Sequence, residues 1–263
     1  MFPFFQRSTL ETVPSGKTVL LTGAAGAIGV SLRQHLHELY HLRCFDRVRV
    51  TDALDVRVAD VNNFRAVQQA MRGVDAVIHL ASNPSVDQAW NDVYTTGIQG
   101  TYHVFEAARQ AGIKQIIYAS SNHVSGWREI QRESHITPEQ LVRPDSLYAV
   151  GKVFGEVLGQ FFADQYDMSI ICLRIGSFKS EPKLYQPNDR ILATWCSPRD
   201  LAQLVRRSLE QENLGFQIFY AISGNTRRYW DISNAQTLLG YQPEDDAENL
   251  LQSCTTPSGD VIV

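Results

Sequence analysis

Apolar positions in the first two-thirds of the chain alternate between short continuous runs and longer segments with helical spacing. Thr18–Thr22 (TVLLT) has the length and composition of a buried strand, and residues 28–39 carry apolar side chains at helical intervals. Strands are expected at 42–46, 56–59, 76–80 (AVIHL), 115–120 (QIIYAS) and 169–174 (SIICLR), and helices at 64–71, 93–111 and 147–163. Gly112 is a natural stop for the helix before it. This order predicts βαβ units and a parallel sheet. Beyond residue 175 the pattern loosens. Pro182, Pro187 and Pro198 interrupt 176–199, as a loop over a site would require. Ser197-Pro198 reads as an N-cap with proline at the first helical position. That helix should run to about Glu210, followed by a strand at 217–222 and a short helix at 232–239.

Composition changes this picture little. The 263 residues are 44% hydrophobic and 20% charged, as in an ordinary globular protein able to bury a large core. A formal net charge of -4 gives no reason to expect nucleic acid or an acidic membrane as partner. No apolar run approaches the roughly 20 residues that span a bilayer. The opening Met1-Phe2-Pro3-Phe4-Phe5 is too short for a signal peptide, so residues 1–16 are expected to form an arm packed on the body or a neighbouring subunit. Cys44, Cys172, Cys196 and Cys254 are far apart with no Cys-x-x-Cys, which suits reduced thiols in a cytoplasmic protein better than disulfides or a metal site.

Chemistry first enters at Thr22-Gly23-Ala24-Ala25-Gly26-Ala27-Ile28-Gly29, between the first strand and the first helix. Glycines there let the backbone turn and approach a pyrophosphate, while a helix N-terminus offers unpaired N–H groups to its charge. The Thr-Gly-x-x-Gly-x-x-Gly spacing resembles the extended short-chain dehydrogenases. Asp46, 23 positions after Gly23, could then accept both ribose hydroxyls and repel a 2′-phosphate, which favours NAD. Asp52 takes that place if the second strand lies later. Arg47 could receive a 2′-phosphate, so NADP stays open. By the same resemblance, Asp60-Val61 holds the adenine, and Leu80 and Ala81 touch the cofactor.

Tyr148 and Lys152 stand four apart, on one face of the helix at 147–163. A free phenol titrates near 10, and an ammonium and an oxidised nicotinamide nearby would favour the phenolate. Ser120-Ser121 precedes them at the end of a predicted strand, the order of a short-chain dehydrogenase, with Ser121 as the hydroxyl that holds the reacting oxygen. A serine hydrolase is a poor rival, since there is no Gly-x-Ser-x-Gly elbow and His123 is too near Ser121 in sequence.

More of the chain resembles the uronate dehydrogenases: Ser120-Ser121-Asn122-His123, Arg143-Pro144-Asp145-Ser146-Leu147-Tyr148, Arg174-Ile175-Gly176-Ser177, Glu181-Pro182, Arg190-Ile191-Leu192-Ala193-Thr194-Trp195, Tyr229-Trp230-Asp231 and Leu239-Gly240-Tyr241-Gln242-Pro243. The resemblance implies a Rossmann-like, doubly wound α/β fold: residues 17–175 as the dinucleotide-binding core, and 176–263 as a small substrate-binding region that helps complete it. It implies oxidation of C1 of glucuronate or galacturonate to the aldarolactone by NAD, with Tyr148 taking the anomeric proton. Arg190 would meet the sugar carboxylate, and Asn122, His123, Ser177 and Ser85 would hydrogen-bond the hydroxyls or carboxylate. Self-association through helices is implied as well. The likeness breaks at Gly97-Ile98-Gln99-Gly100, where the family has Asn-x-x-Gly, and in 82–87. Two readings compete: a nucleotide-sugar epimerase or dehydratase, against which the short C-terminal region argues, and a dinucleotide sensor, against which the intact Tyr148 and Lys152 argue.

Overall fold

The computed structural model describes residues 16–179 and 189–249. The expected N-terminal arm, Glu181-Pro182, Pro187 and Cys254 lie outside the described residues apart from Gly16.

Apolar runs become strands because burial on both faces suits continuous Val, Ile and Leu. β1 (Thr18–Thr22), β4 (Ala76–His79), β5 (Gln115–Ser121) and β6 (Ser169–Ile175) are buried almost throughout. With β2 (His41–Asp46), β3 (Asp55–Val58) and β9 (Phe216–Ala221) they form one seven-stranded sheet in the order β3-β2-β1-β4-β5-β6-β9. Every neighbouring pair in it is parallel. Two short strands, β7 (Ser177–Phe178) and β8 (Trp195–Cys196), pair outside it. The fold is Rossmann-like, and β9, from the C-terminal region, completes the main sheet beside β6.

Helices cover both faces: α1 (Ala27–Leu36), α2 (Phe64–Ala70), α3 (Trp90–Asp92), α4 (Thr101–Gln110), α5 (Gly126–Ile130), α6 (Leu147–Tyr166), α7 (Asp189–Thr194), α8 (Pro198–Glu210) and α9 (Ser233–Leu239). One apolar core lies on the α1, α8 and α9 side, with Leu32, Leu36, Leu201, Leu204, Val205 and Leu239. The other lies on the α2, α4 and α6 side, with Val67, Val104, Phe105 and Phe162. Ser197 caps α8 by accepting from the Asp200 N–H, with Pro198 first in the helix, as its sequence signature requires.

Most boundaries fall within a residue of expectation, and three elements depart further. The first helix stops at Leu36 instead of residue 39. The long central helix is not uniform: Val93–Gly100 winds as a π-helix before α4 begins. That wide turn lies against α6, where a Cβ on Gly151 would sit 3.0 Å from Val93. Finally, α6 runs on to Tyr166 and ends at Asp167, whose φ of 52° places it in the left-handed region.

Candidate active site

In an open parallel sheet, ligands settle at the carboxyl ends of the strands where the order reverses. Here that point lies between β1 and β4, and a cavity of about 650 Å³ opens there.

Its floor begins at the loop after β1. Gly23 has φ +72°, and a Cβ on it would lie 2.7 Å from the Ala81 nitrogen; a Cβ on Gly29 would lie 2.4 Å from the Gly23 carbonyl oxygen. Only glycine fits both positions. Their effect is to aim the start of α1 at the cavity with no acidic side chain in its first turn, as an anion requires. Gly23, Gly26, Ala27, Ile28 and Gly29 all line the space, as do Asp46, Asp60, Val61, Leu80 and Ala81. The Asp46 carboxylate accepts the Ala25 N–H at 2.9 Å and the Val48 N–H at 2.9 Å, which ties the end of β2 to the glycine loop. Arg47 lines the rim beside it, whereas Asp52, the alternative acid, is paired with Arg33 and is not part of the lining. The narrow glycine cradle, the helix N-terminus and the carboxylate together fit a dinucleotide.

The candidate reacting groups come from β5 and α6. Ser146 caps α6 by accepting the Ala149 N–H at 3.2 Å, so the helix starts just ahead of Tyr148. Tyr148 and Lys152 share the cavity with Ser121, Asn122 and His123. Burial pushes the Tyr148 phenol up, and its hydrogen bond with Ser121 pulls it back. The Lys152 nitrogen is buried, donates to the Ala119 carbonyl at 2.8 Å and lies 5.5 Å from the Tyr148 ring centre. Burial lowers its pKa to about 8. The Ser121 hydroxyl accepts the His123 N–H at 3.2 Å and donates to Asn122 Oδ1 at 3.3 Å. His123 Nδ1 is 2.7 Å from Asp145 Oδ2, and its ring stands edge-on to Tyr148 at 6.2 Å.

At the far end, Arg190 and Ser177 line the cavity, joined by a 3.2 Å hydrogen bond from Arg190 Nη1 to Ser177 Oγ. Ser85 does not line it. Its hydroxyl accepts the Asp87 N–H in an exposed turn, and Ser82, Asn83 and Pro84 form that wall instead. Sequence reading also missed Thr96, Phe178 and the Asp145 partner of His123. The wall after β4 and Phe178 after β6 had a signal in their position at strands' carboxyl ends, and Asp145 in the motif at 143–148, whereas Thr96 had none. Gly97 sits on the π-helical turn, where a Cβ would come no nearer than 3.9 Å to Gly151 or Val93.

The profile of the NAD dependent epimerase/dehydratase family matches residues 19–230. The chain belongs to this family. A Haloferax volcanii NAD-dependent glucose-6-phosphate dehydrogenase is 36% identical, with 87% of this chain and 94% of that one covered. A Pseudomonas putida uronate dehydrogenase is 38% identical, over 91% of this chain and 88% of that one. A solved structure described as a mutated uronate dehydrogenase superposes with a TM-score of 0.83 at 37% identity, covering 90% of this chain and 85% of that one.

Proposed function

We propose that this family member oxidises C1 of a cyclic hexuronic acid, glucuronate or galacturonate, to the aldarolactone, with NAD as the oxidant. The observation that carries the reading is the Tyr148 phenol, held by Ser121 and one helical turn from Lys152. It sits in a single cavity whose ends are the glycine loop with Asp46 and the Arg190 guanidinium. When bound, NAD supplies the acceptor for the hydride leaving C1. Tyr148 takes the proton of the anomeric hydroxyl, and Ser121 holds that oxygen. The Lys152 ammonium stabilises the phenolate and reaches the nicotinamide ribose. Asp145 fixes a proton on His123 Nδ1, which leaves Nε2 to accept from a sugar hydroxyl. Arg190 meets the carboxylate, helped by Ser177 and Asn122.

Residues 17–175 would form the dinucleotide-binding core with the Tyr148–Lys152 helix, and 176–263 a small substrate-binding region that completes the sheet through β9. Asp46 selects NAD, and Arg47 leaves weaker use of NADP. Cys44, Cys172 and Cys196 are buried free thiols, in keeping with a cytoplasmic enzyme of carbohydrate metabolism. Exposed Tyr94, Tyr102, Val150, Val157 and Phe161 favour a homo-oligomer formed through the α4 and α6 faces.

The test is NADH absorbance when the protein meets NAD and either uronate. Wild-type protein should produce NADH, and Tyr148→Phe should lose about 10²- to 10⁴-fold in kcat, the usual worth of a positioned acid–base group. No NADH with either sugar, with NAD or NADP, ends this reading and turns attention to nucleotide sugars.

A further inference from the structure

Glu129 has no part in the reaction just described, yet it is ion-paired to the substrate arginine. It lies on α5, is absent from the cavity lining, and stands behind Arg190 across 61 positions of sequence. Its carboxylate takes the Arg190 Nε edge, with a longer contact of 3.5 Å from Nη2 to Oε2. The Glu129 side chain is 16% exposed and that of Arg190 40%, so the carboxylate is the inner partner. Tyr229 packs beside them: burial, then the Glu129 charge, raises its phenol pKa while Arg190 opposes the rise. Arg190 therefore enters the cavity half-spent. Its Nη1 faces Ser177 and the open space, and its charge is already matched from behind.

We propose that Glu129 sets the aim and the net charge of Arg190, so that the site takes a singly charged sugar acid in preference to a doubly charged sugar phosphate. The inference rests on the sugar-oxidising reading above. An anion at Nη1 is attracted by the guanidinium and repelled by the carboxylate behind it; a second negative charge doubles both terms, so Glu129 cancels twice as much attraction for a dianion, whose desolvation costs more to offset. Among described residues lining the cavity, the other basic side chains of Arg or Lys type are Arg47, beside Asp46 at the opposite end, and Lys152, buried at Tyr148. Neither can meet a second negative charge at the Arg190 end. The chain's relatives include both a uronate and a glucose-6-phosphate dehydrogenase, so the two kinds of anion are the relevant choice.

Glu129→Gln is nearly isosteric, keeps an oxygen for Arg190 Nε and removes the charge. The ratio of kcat/KM for glucose 6-phosphate to that for galacturonate should rise at least about fivefold, the worth of one partly screened charge at close range. The change should fall in KM, shrink in 0.5 M salt and leave uncharged glucose within about twofold. Glu129→Ala should move the ratio the same way, and Glu129→Asp should hold it near wild type. An unchanged ratio in both charge-removing variants, or an equal change for glucose, overturns the proposal. So does a wild type that already prefers glucose 6-phosphate, although dehydrogenase chemistry would then stand. If wild type oxidises no sugar, the earlier reading falls. Calorimetric titration of galacturonate and glucose 6-phosphate into the NADH-loaded protein then decides alone, since the same affinity ratio must shift in Glu129→Gln.

Discussion

In the proposed reaction Lys152 has opposite consequences for folding and for turnover. Its ammonium is buried, with the Ala119 carbonyl as its described acceptor, and burial lowers its pKa from 10.5 to about 8. The unfolded chain therefore binds more protons between about pH 8 and 10.5, and stability at this residue rises with pH across that window. Below pH 8 the full cost of the buried charge falls on the fold. Lys152→Met should thus stabilise the ligand-free protein at pH 7 by up to about 3 kcal/mol, a gain that fades above pH 8. Thermal denaturation at pH 7 and 10 checks this, and a gain equal at both would contradict it. The same substitution should abolish turnover, because the ammonium favours the phenolate against the burial that raises Tyr148. Tension of this kind between stability and activity is what a proton-transfer site in an apolar wall requires.

At the scale of the element, α6 presents Tyr148, Lys152 and Glu156 at four-residue intervals. Glu156 continues the row into the core, where its two oxygens accept Arg174 Nε and Nη2, each at 2.9 Å, and Ser120 Oγ at 2.6 Å. Arg174 also donates to Tyr220 at 3.3 Å, so one network pins α6 to β5, β6 and β9 beneath the site. Arg174→Met should cost about 3–5 kcal/mol in urea denaturation by leaving Glu156 buried and unpaired. Adding Glu156→Met should recover most of that. A double variant no more stable than the single would show that the apolar pair cannot be packed there. None of this pairing was legible in the sequence, although Arg174 was noticed as part of a motif. The strands and α6 were legible because buried Val, Ile and Leu runs and Tyr–Lys spacing are local signals. The π-helical turn at Val93–Gly100, α5 and the two-residue pairing of β7 with β8 were not, since each is set by what packs on it. Ser85 stands off the lining for the same reason: the loop after β4 follows its own Asn83 and Ser85 turns, and Ser82 and Asn83 are on the cavity wall. Glu129 and Arg190 meet only because α5 and α7 converge at the substrate end of the cavity.

For the molecule as a whole, both faces of α6 need explaining. One carries Tyr148, Lys152 and Glu156 inward. The other leaves Leu147, Val150, Val157 and Phe161 exposed at 49%, 42%, 65% and 49%. Helices apolar all round are buried ones, and a solvent-facing stripe of this kind marks a contact surface. Tyr94 and Tyr102, exposed at 48% and 46%, extend the patch along the neighbouring helical segment that packs against α6. A two-fold axis through that patch would bring the stripe of one copy onto the same stripe of another, the commonest closed arrangement. Val157→Glu with Phe161→Glu would then place like charges against each other across the axis in an apolar setting, at a cost of several kcal/mol. Light scattering at micromolar concentration should give wild-type protein a mass of at least two chains. The double variant should fall to one chain with its circular dichroism unchanged, because both side chains already face solvent within a single copy. A wild type of one-chain mass, or a variant that keeps the larger mass, would assign this surface another role. If the variant becomes a single chain and loses turnover, the contact also supports the cofactor site, since the buried face of the same helix holds Tyr148 and Lys152 over it.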